Sequence, residues 1–190
     1  KAGGFNAVVP NMWWGGVAHY DSKILPHSDT FNQFGDQIAQ AVAAGKKYGI
    51  EVHPWKVNWN LATAPAQFVE QMRQEKRLQM NAQGVEEAWL CPSHPANFQL
   101  ELDTMLEVAL NYDVDGVHFD YIRYPGSENC YCDGCRERFE AATGLKVENW
   151  PTDCYDGVLR EKYRQWRCDN ITRLVKATSE EVRKVKPWVK

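Results

Sequence analysis

Three short apolar runs, Phe5 to Pro10, Ile50 to Trp55 and Asp113 to Pro125, each lead into a stretch of polar and aromatic residues, and helix-patterned segments separate them. This alternation constrains the fold most. Strand, helix, strand with short helix-to-strand joints gives a parallel sheet with right-handed crossovers. Gln33 to Tyr48 carries Phe34, Ile38, Ala41, Val42 and Gly45 on one face, and Gly49 is its stop signal. Pro65 to Gln83 reads as a polar helical insertion, and further helices span about 97–111, 136–143 and 157–186. The long loops follow the strands, which favours a (β/α)8 TIM barrel over a Rossmann sheet, and no Gly-x-Gly-x-x-Gly follows any strand. A full barrel takes about 250 residues. Residues 1–190 therefore read as one α/β domain holding a fragment of a barrel, about strands 2 to 4 with their helices. The ends agree: Lys1-Ala2 reads as a helix end running into the first strand, and Pro187-Trp188-Val189-Lys190 as the start of another strand.

A net charge of −3 gives no general attraction to nucleic acid or anionic membrane, and no apolar run approaches a membrane span. The oligomeric state is not encoded legibly. Eight Trp and eight Tyr supply surfaces on which sugar rings lie, or simply fill the core. In a barrel, ligands bind at the C-terminal ends of the strands. The candidates there are Asn11, Trp13 and Trp14 after the first strand, His53, Trp55 and Asn58 around the second, and His118, Asp120, Tyr121 and Arg123 on the third. Asp113 and Asp115 lie at the N-terminal end of that third strand, where turn and capping roles are expected. Alternation puts His118, Asp120 and Ile122 on one face, with Phe119 and Tyr121 on the other. Asp120 thus reads as a catalytic carboxylate, a sugar-hydroxyl acceptor, or the partner of an ion pair with Arg123.

Cys130-Tyr131-Cys132-Asp133-Gly134-Cys135 packs three thiols into six residues. Disulfides at this spacing close strained rings, whereas thiolates converging on a tetrahedral Zn²⁺ suit it, and four thiolates make a structural rather than a catalytic site. Cys91 is the first choice for a fourth ligand, Cys154 the second, and Cys168 reads as a buried apolar thiol.

The same residues carry two resemblances. Asp-Gly-Val-His-Phe-Asp-Tyr-Ile-Arg-Tyr-Pro, 115–125, resembles the Asp-Gly-Ile-His-Phe-Asp-Asp-x-x-Tyr-Pro signature of the glycosyl-hydrolase-like family 10 proteins. Gly4 to Val8, Tyr20 to Pro26, Tyr48 to Trp55 and Trp89 to Pro95 resemble further stretches of that family in the same order. The resemblance implies a barrel that hydrolyses O-glycosidic bonds of an oligo- or polysaccharide, in a secreted or periplasmic setting. Asp120 would be nucleophile or acid/base; the runner-up is a barrel that binds carbohydrate without cleaving it. The second carboxylate is expected beyond Lys190, with Asp21 and Glu128 the candidates within the chain. Cys91-Pro92 followed by Cys130, Cys132 and Cys135 is similar to the zinc site of family 42 β-galactosidases, which implies Cys91 as the fourth ligand. That family has an Asn-Glu pair where this chain has Phe119-Asp120.

Overall fold

The computed structural model describes residues 3–190, so the helix end expected at Lys1-Ala2 lies outside the described residues. In chain order come β1 (Ala7–Val8), β2 (Asn11–Trp14), β3 (Val17–Ala18), α1 (Asp29–Phe34), α2 (Gln37–Tyr48), β4 (Glu51–Val52) and β5 (Trp55–Val57). They are followed by α3 (Ala66–Gln74), β6 (Leu78–Met80), β7 (Glu86–Leu90), α4 (Pro95–Asn111), β8 (His118–Asp120), α5 (Asp133–Thr143), α6 (Thr152–Tyr155) and α7 (Arg160–Val185). The fold is mixed α/β. Proline has no N–H for a ladder, and Pro10 and Pro54 divide two extended runs into β1 with β2 and β4 with β5. Their carbonyls still bond onward: Trp55 N donates to Pro10 O and His118 N to Pro54 O, each at 2.9 Å.

The main sheet has the order β3-β2-β5-β8, with β2, β5 and β8 parallel and β3 turned back antiparallel at the edge. Beyond β8, Val117 N donates to Lys190 O at 2.9 Å and Lys190 N to Asp115 O at 3.0 Å. The last residue of the chain therefore begins a further parallel rung. The parallel runs stand side by side in sequence order, with no reversal.

One face of the sheet is covered. Ile38 of α2 and Val108 of α4 pack with Met12, Trp13, Tyr20 and Val114, while Ala109 of α4 packs with Val182 of α7 and Val189. Lys56 lies on this covered face with no solvent route, bonding Thr104 Oγ1 at 2.6 Å and Glu101 Oε2 at 3.2 Å on α4. Glu101 also accepts from Asn58 Nδ2 at 2.6 Å and Trp59 N at 3.2 Å. Burial pulls the Lys56 ammonium below its usual range, against the pull of Glu101. Register pairs Lys56 with Phe119, so Trp55 with His118 and Val57 with Asp120 point to the opposite face.

Several expectations are corrected. Gln33 to Tyr48 is two helices, because Gly35 takes a φ of 74° and the cap of α1 ends there; Phe34 is consequently exposed. The 65–83 segment is a helix only to Gln74; Leu78–Met80 then pairs antiparallel with Glu86–Leu90 as a hairpin. The 113–125 run keeps only three residues of strand, and His118 is exposed rather than buried. Tyr121 adopts a φ of 51°, which ends the alternation. Ile122 therefore packs with Trp59, Leu102 and Leu174 on the helix side and does not share a face with Asp120. Cys168 is exposed. Lys46 pairs with Asp113 at 2.8 Å, and the Asp115 carboxylate accepts from Val52 N at 2.8 Å, so both acids tie down the N-terminal end of β8 by cross-links to its neighbours in place of the turn and capping roles expected.

Candidate functional site

The β6–β7 hairpin, whose first strand falls where the sequence pattern predicts helix, assembles the cysteines. Leu78 pairs with Leu90, so Cys91 leaves the end of β7, where its N–H donates to Arg77 O at 2.8 Å. Tyr131 N donates to Met80 O at 2.7 Å and draws the 130–135 loop onto the same hairpin. Buried Asn97 donates from Nδ2 to Cys91 O at 3.0 Å and Arg77 O at 2.8 Å, fixing the turn from inside. Phe139, Tyr163 and Trp166 close over the cluster as one apolar shell.

The Sγ atoms of Cys91, Cys130, Cys132 and Cys135 all lie within 4.8 Å of one another. Cys91 to Cys135 is 3.4 Å, Cys132 to Cys135 3.6 Å and Cys91 to Cys132 3.9 Å. Three thiols are fully buried and Cys132 half-buried. Hydrogen bonds from the other thiols hold the Cys91 thiol well below its usual range, while burial pushes Cys130 and Cys135 well above theirs. Ser93 Oγ lies 3.2 Å from Cys91 Sγ and 3.3 Å from Cys135 Sγ, and Arg138 Nε donates to Ser93 Oγ at 3.0 Å. A hydroxyl and a guanidinium thus face the sulfurs, which complements thiolate charge. The spacing of the cysteines gave no sign of either. Cys154 stands apart from the four, buried, with its thiol pushed up to about 12 by burial.

At the C-terminal end of β8, Asp120 is half-buried and its Oδ1 accepts from Tyr121 N at 2.8 Å. Among the described residues it has no ion-pair partner; Arg123 instead stacks over the Tyr121 ring at 4.6 Å. The left-handed backbone at Tyr121 swings its ring beside Trp14, edge to face at 6.5 Å between centroids. Both rings remain about 40 % exposed, Trp14 at 42 % and Tyr121 at 39 %. Register aligns Asn11 with Trp55 on the face shared with His118 and Asp120, and Asn11 Nδ2 is buried there without a partner among the described residues.

The other candidates divide. Trp13 is fully buried on the helix side, donating to Tyr20 OH at 2.7 Å. Asn58 is buried and directed to Glu101, leaving its Oδ1 without a partner. His53 lies on the open face beneath its neighbours, with Nδ1 3.3 Å from His118 Nε2 and Nε2 2.8 Å from Glu51 Oε2. Asp21 engages Lys23 and His27, and Glu128 bonds Ser127 beside it; both serve local turns.

Comparison with known proteins gives a family and a fold. The family described as glycosyl hydrolase-like 10 matches residues 1–190. A curated S-layer-related protein of Niallia circulans is 32% identical over 128 residues, 62% of this chain and 8% of that protein. Among solved structures, alpha-L-fucosidase isoenzyme 2 from Paenibacillus thiaminolyticus superposes with a TM-score of 0.71 at 18% identity, over 97% of this chain and 26% of the fucosidase. A cold-adapted beta-galactosidase from Rahnella sp. R3 gives a TM-score of 0.64 at 16% identity, over 97% of this chain and 30% of its own. At such identities the likeness is one of fold. The chain spans less than a third of each of these proteins.

Proposed function

Because the chain belongs to the glycosyl hydrolase-like 10 family, we propose that residues 1–190 are part of a (β/α)8 catalytic domain that hydrolyses O-glycosidic bonds of an oligo- or polysaccharide. The family makes the role glycoside-hydrolase-related; the barrel, the reaction and the residues are our reading. Parallel runs in sequence order, with α2, α4 and α7 on one face, are what strands 2 to 4 of a barrel require. The observation that carries the reading is Asp120: a half-exposed carboxylate without an ion-pair partner among the described residues, at the C-terminal end of a parallel strand, beside a Trp14–Tyr121 wall.

In this reading Asp120 is the nucleophile or acid/base. A retaining reaction needs a second carboxyl group about 5–5.5 Å away, and an inverting one a wider gap. Trp14, Trp55 and Tyr121 wall the sugar, and Asn11, His118 and Arg123 bond its hydroxyls. His53 and Asn58 act from behind, through His118 and the Glu101 network. Trp13 contributes packing.

The four cysteines fit Zn²⁺. A Zn–S bond of about 2.3 Å sets tetrahedral S–S separations of about 3.8 Å, and the pairs at 3.4, 3.6 and 3.9 Å straddle that value. Cys91, Cys130, Cys132 and Cys135 would hold the ion, which supplies four metal–thiolate crosslinks. A closed thiolate shell has no position for water, so its work is to brace the loop that follows Asp120.

The non-catalytic alternative draws on one feature: of the residues that end β2, β5 and β8, only Asp120 is a carboxylate. Asp120→Asn in the full-length protein separates the readings. Turnover of a panel of aryl glycosides should fall by about 10²–10⁴ with sugar affinity kept. Unchanged turnover removes Asp120 from the chemistry, and no turnover by the unmodified protein on any glycan favours binding alone.

A further inference from the structure

His118 stands on the open face with a row of groups behind it whose hydrogens are fixed by what they face. His53 Nε2 lies 2.8 Å from the Glu51 carboxylate, an acceptor only, so that nitrogen carries the proton. Neutral His53 then has its lone pair on Nδ1, 3.3 Å from His118 Nε2. His118 must donate there, which leaves His118 Nδ1 bare. The seat is built for this: a Cβ on Gly116 would come within 2.2 Å of His53 Nδ1, so the backbone opposite the ring has room only for glycine. Glu51 is held from its far side by Lys190 Nζ at 2.9 Å from both carboxylate oxygens.

We propose that Glu51, His53 and Gly116 are positioning residues that lock His118 as a hydrogen-bond acceptor at Nδ1 for a ligand hydroxyl, two residues before Asp120 on the same face. Burial and the neighbouring His53 ring hold the His118 imidazole below its usual range. The Glu51 carboxylate, kept low first by Lys190 and then by His53, is the negative charge that meets the far end of the row. The charged residues of β8 and the segment leading into it are Asp113, paired with Lys46, Asp115, bonded to Val52 N, and Asp120. The carbohydrate reading supplies only the identity of the ligand, and the test below uses no sugar, so failure here and failure of that reading are distinguishable.

The test is carbethoxylation of the full-length protein by diethyl pyrocarbonate across pH, read at peptide level by mass spectrometry. The reagent attacks unprotonated imidazole nitrogen. His118 should react and His53, with both nitrogens engaged, should be protected. Glu51→Gln removes the charge that favours the protonated pair, so the midpoint of His118 labelling should move down by about one pH unit or more, although Glu51 does not touch His118. Gly116→Ala should expel His53 from its seat, expose it to labelling and abolish the effect of Glu51→Gln on His118. A His118 midpoint that Glu51→Gln leaves unmoved overturns the proposal, as does a His53 that labels as fast as His118 in the unmodified protein.

Discussion

Replacing Cys132 with serine tests whether the thiol cluster is a metal brace. The sulfurs of Cys91, Cys132 and Cys135 stand 3.4 to 3.9 Å apart, close to the spacing a tetrahedral ion imposes, and Cys130 lies within 4.8 Å of each, so a modest contraction suffices for binding. An ion that binds only the folded state, present at a thousandfold above its Kd, adds about 4 kcal/mol. For a domain of this size each kcal/mol moves Tm by roughly 2–4 °C, so stripping the metal should lower Tm by roughly 8–16 °C. Cys132→Ser should reproduce much of that fall and abolish the response to chelator, because one of four crosslinks is gone. Cys154→Ser is the control, since that thiol lies outside the cluster. Metal content by plasma mass spectrometry should be about one zinc per chain in the unmodified protein and in Cys154→Ser, with thermal melts recorded with and without chelator. A protein purified without metal from zinc-containing medium, with Tm indifferent to chelator and to Cys132→Ser, would refute the reasoning.

Two further perturbations probe the packing and the rim. Glu101→Leu leaves the buried Lys56 ammonium with only the neutral Thr104 Oγ1, and Asn58 Nδ2 and Trp59 N without their acceptor, and breaking one partner of a buried pair costs about 3–5 kcal/mol. Urea unfolding should show that loss; a change near zero means the network carries no weight. Tyr121→Ala removes half of an exposed aromatic pair and should change stability by less than about 0.5 kcal/mol. Migration in polysaccharide-containing gels should nevertheless show weaker retardation, and unchanged retardation would take Tyr121 out of the sugar wall.

The parts of the fold that rest on local signals are legible in the sequence. Gly49 ends α2 in the left-handed conformation that glycine favours, and the apolar spacing on α4 marks Phe98, Leu102, Met105, Leu106 and Ala109, of which Leu102, Met105 and Ala109 are buried and Phe98 and Leu106 partly so. The cysteine spacing was legible for a related reason, because a thiolate cluster needs its ligands near in sequence or at a turn, and Cys91 meets the other three. The β6–β7 hairpin was not legible. Leu78-Gln79-Met80 is too short to show a period of two, and its long unbranched side chains favour helix as readily as strand. Its pairing is decided by the cysteine loop bonding Met80 and by Cys91 bonding Arg77, both distant in sequence. The strand at 113–125 was overread because apolar content said nothing of the positive φ at Tyr121. The partners of buried charges were hidden too: Lys56 and Glu101 are 45 residues apart in number and meet only after α4 folds onto the sheet.

Chemical rescue tests directly whether Asp120 takes part in breaking a glycosidic bond. Asp120→Gly leaves a gap the size of a carboxylate at the end of β8, which a small anion such as azide can enter. With an activated aryl glycoside that the full-length protein cleaves, the variant should be nearly inactive alone and regain turnover with azide, releasing a glycosyl azide whose anomeric configuration distinguishes nucleophile from acid/base. Hydrolysis by Asp120→Gly at the unmodified rate, without azide, would contradict the account.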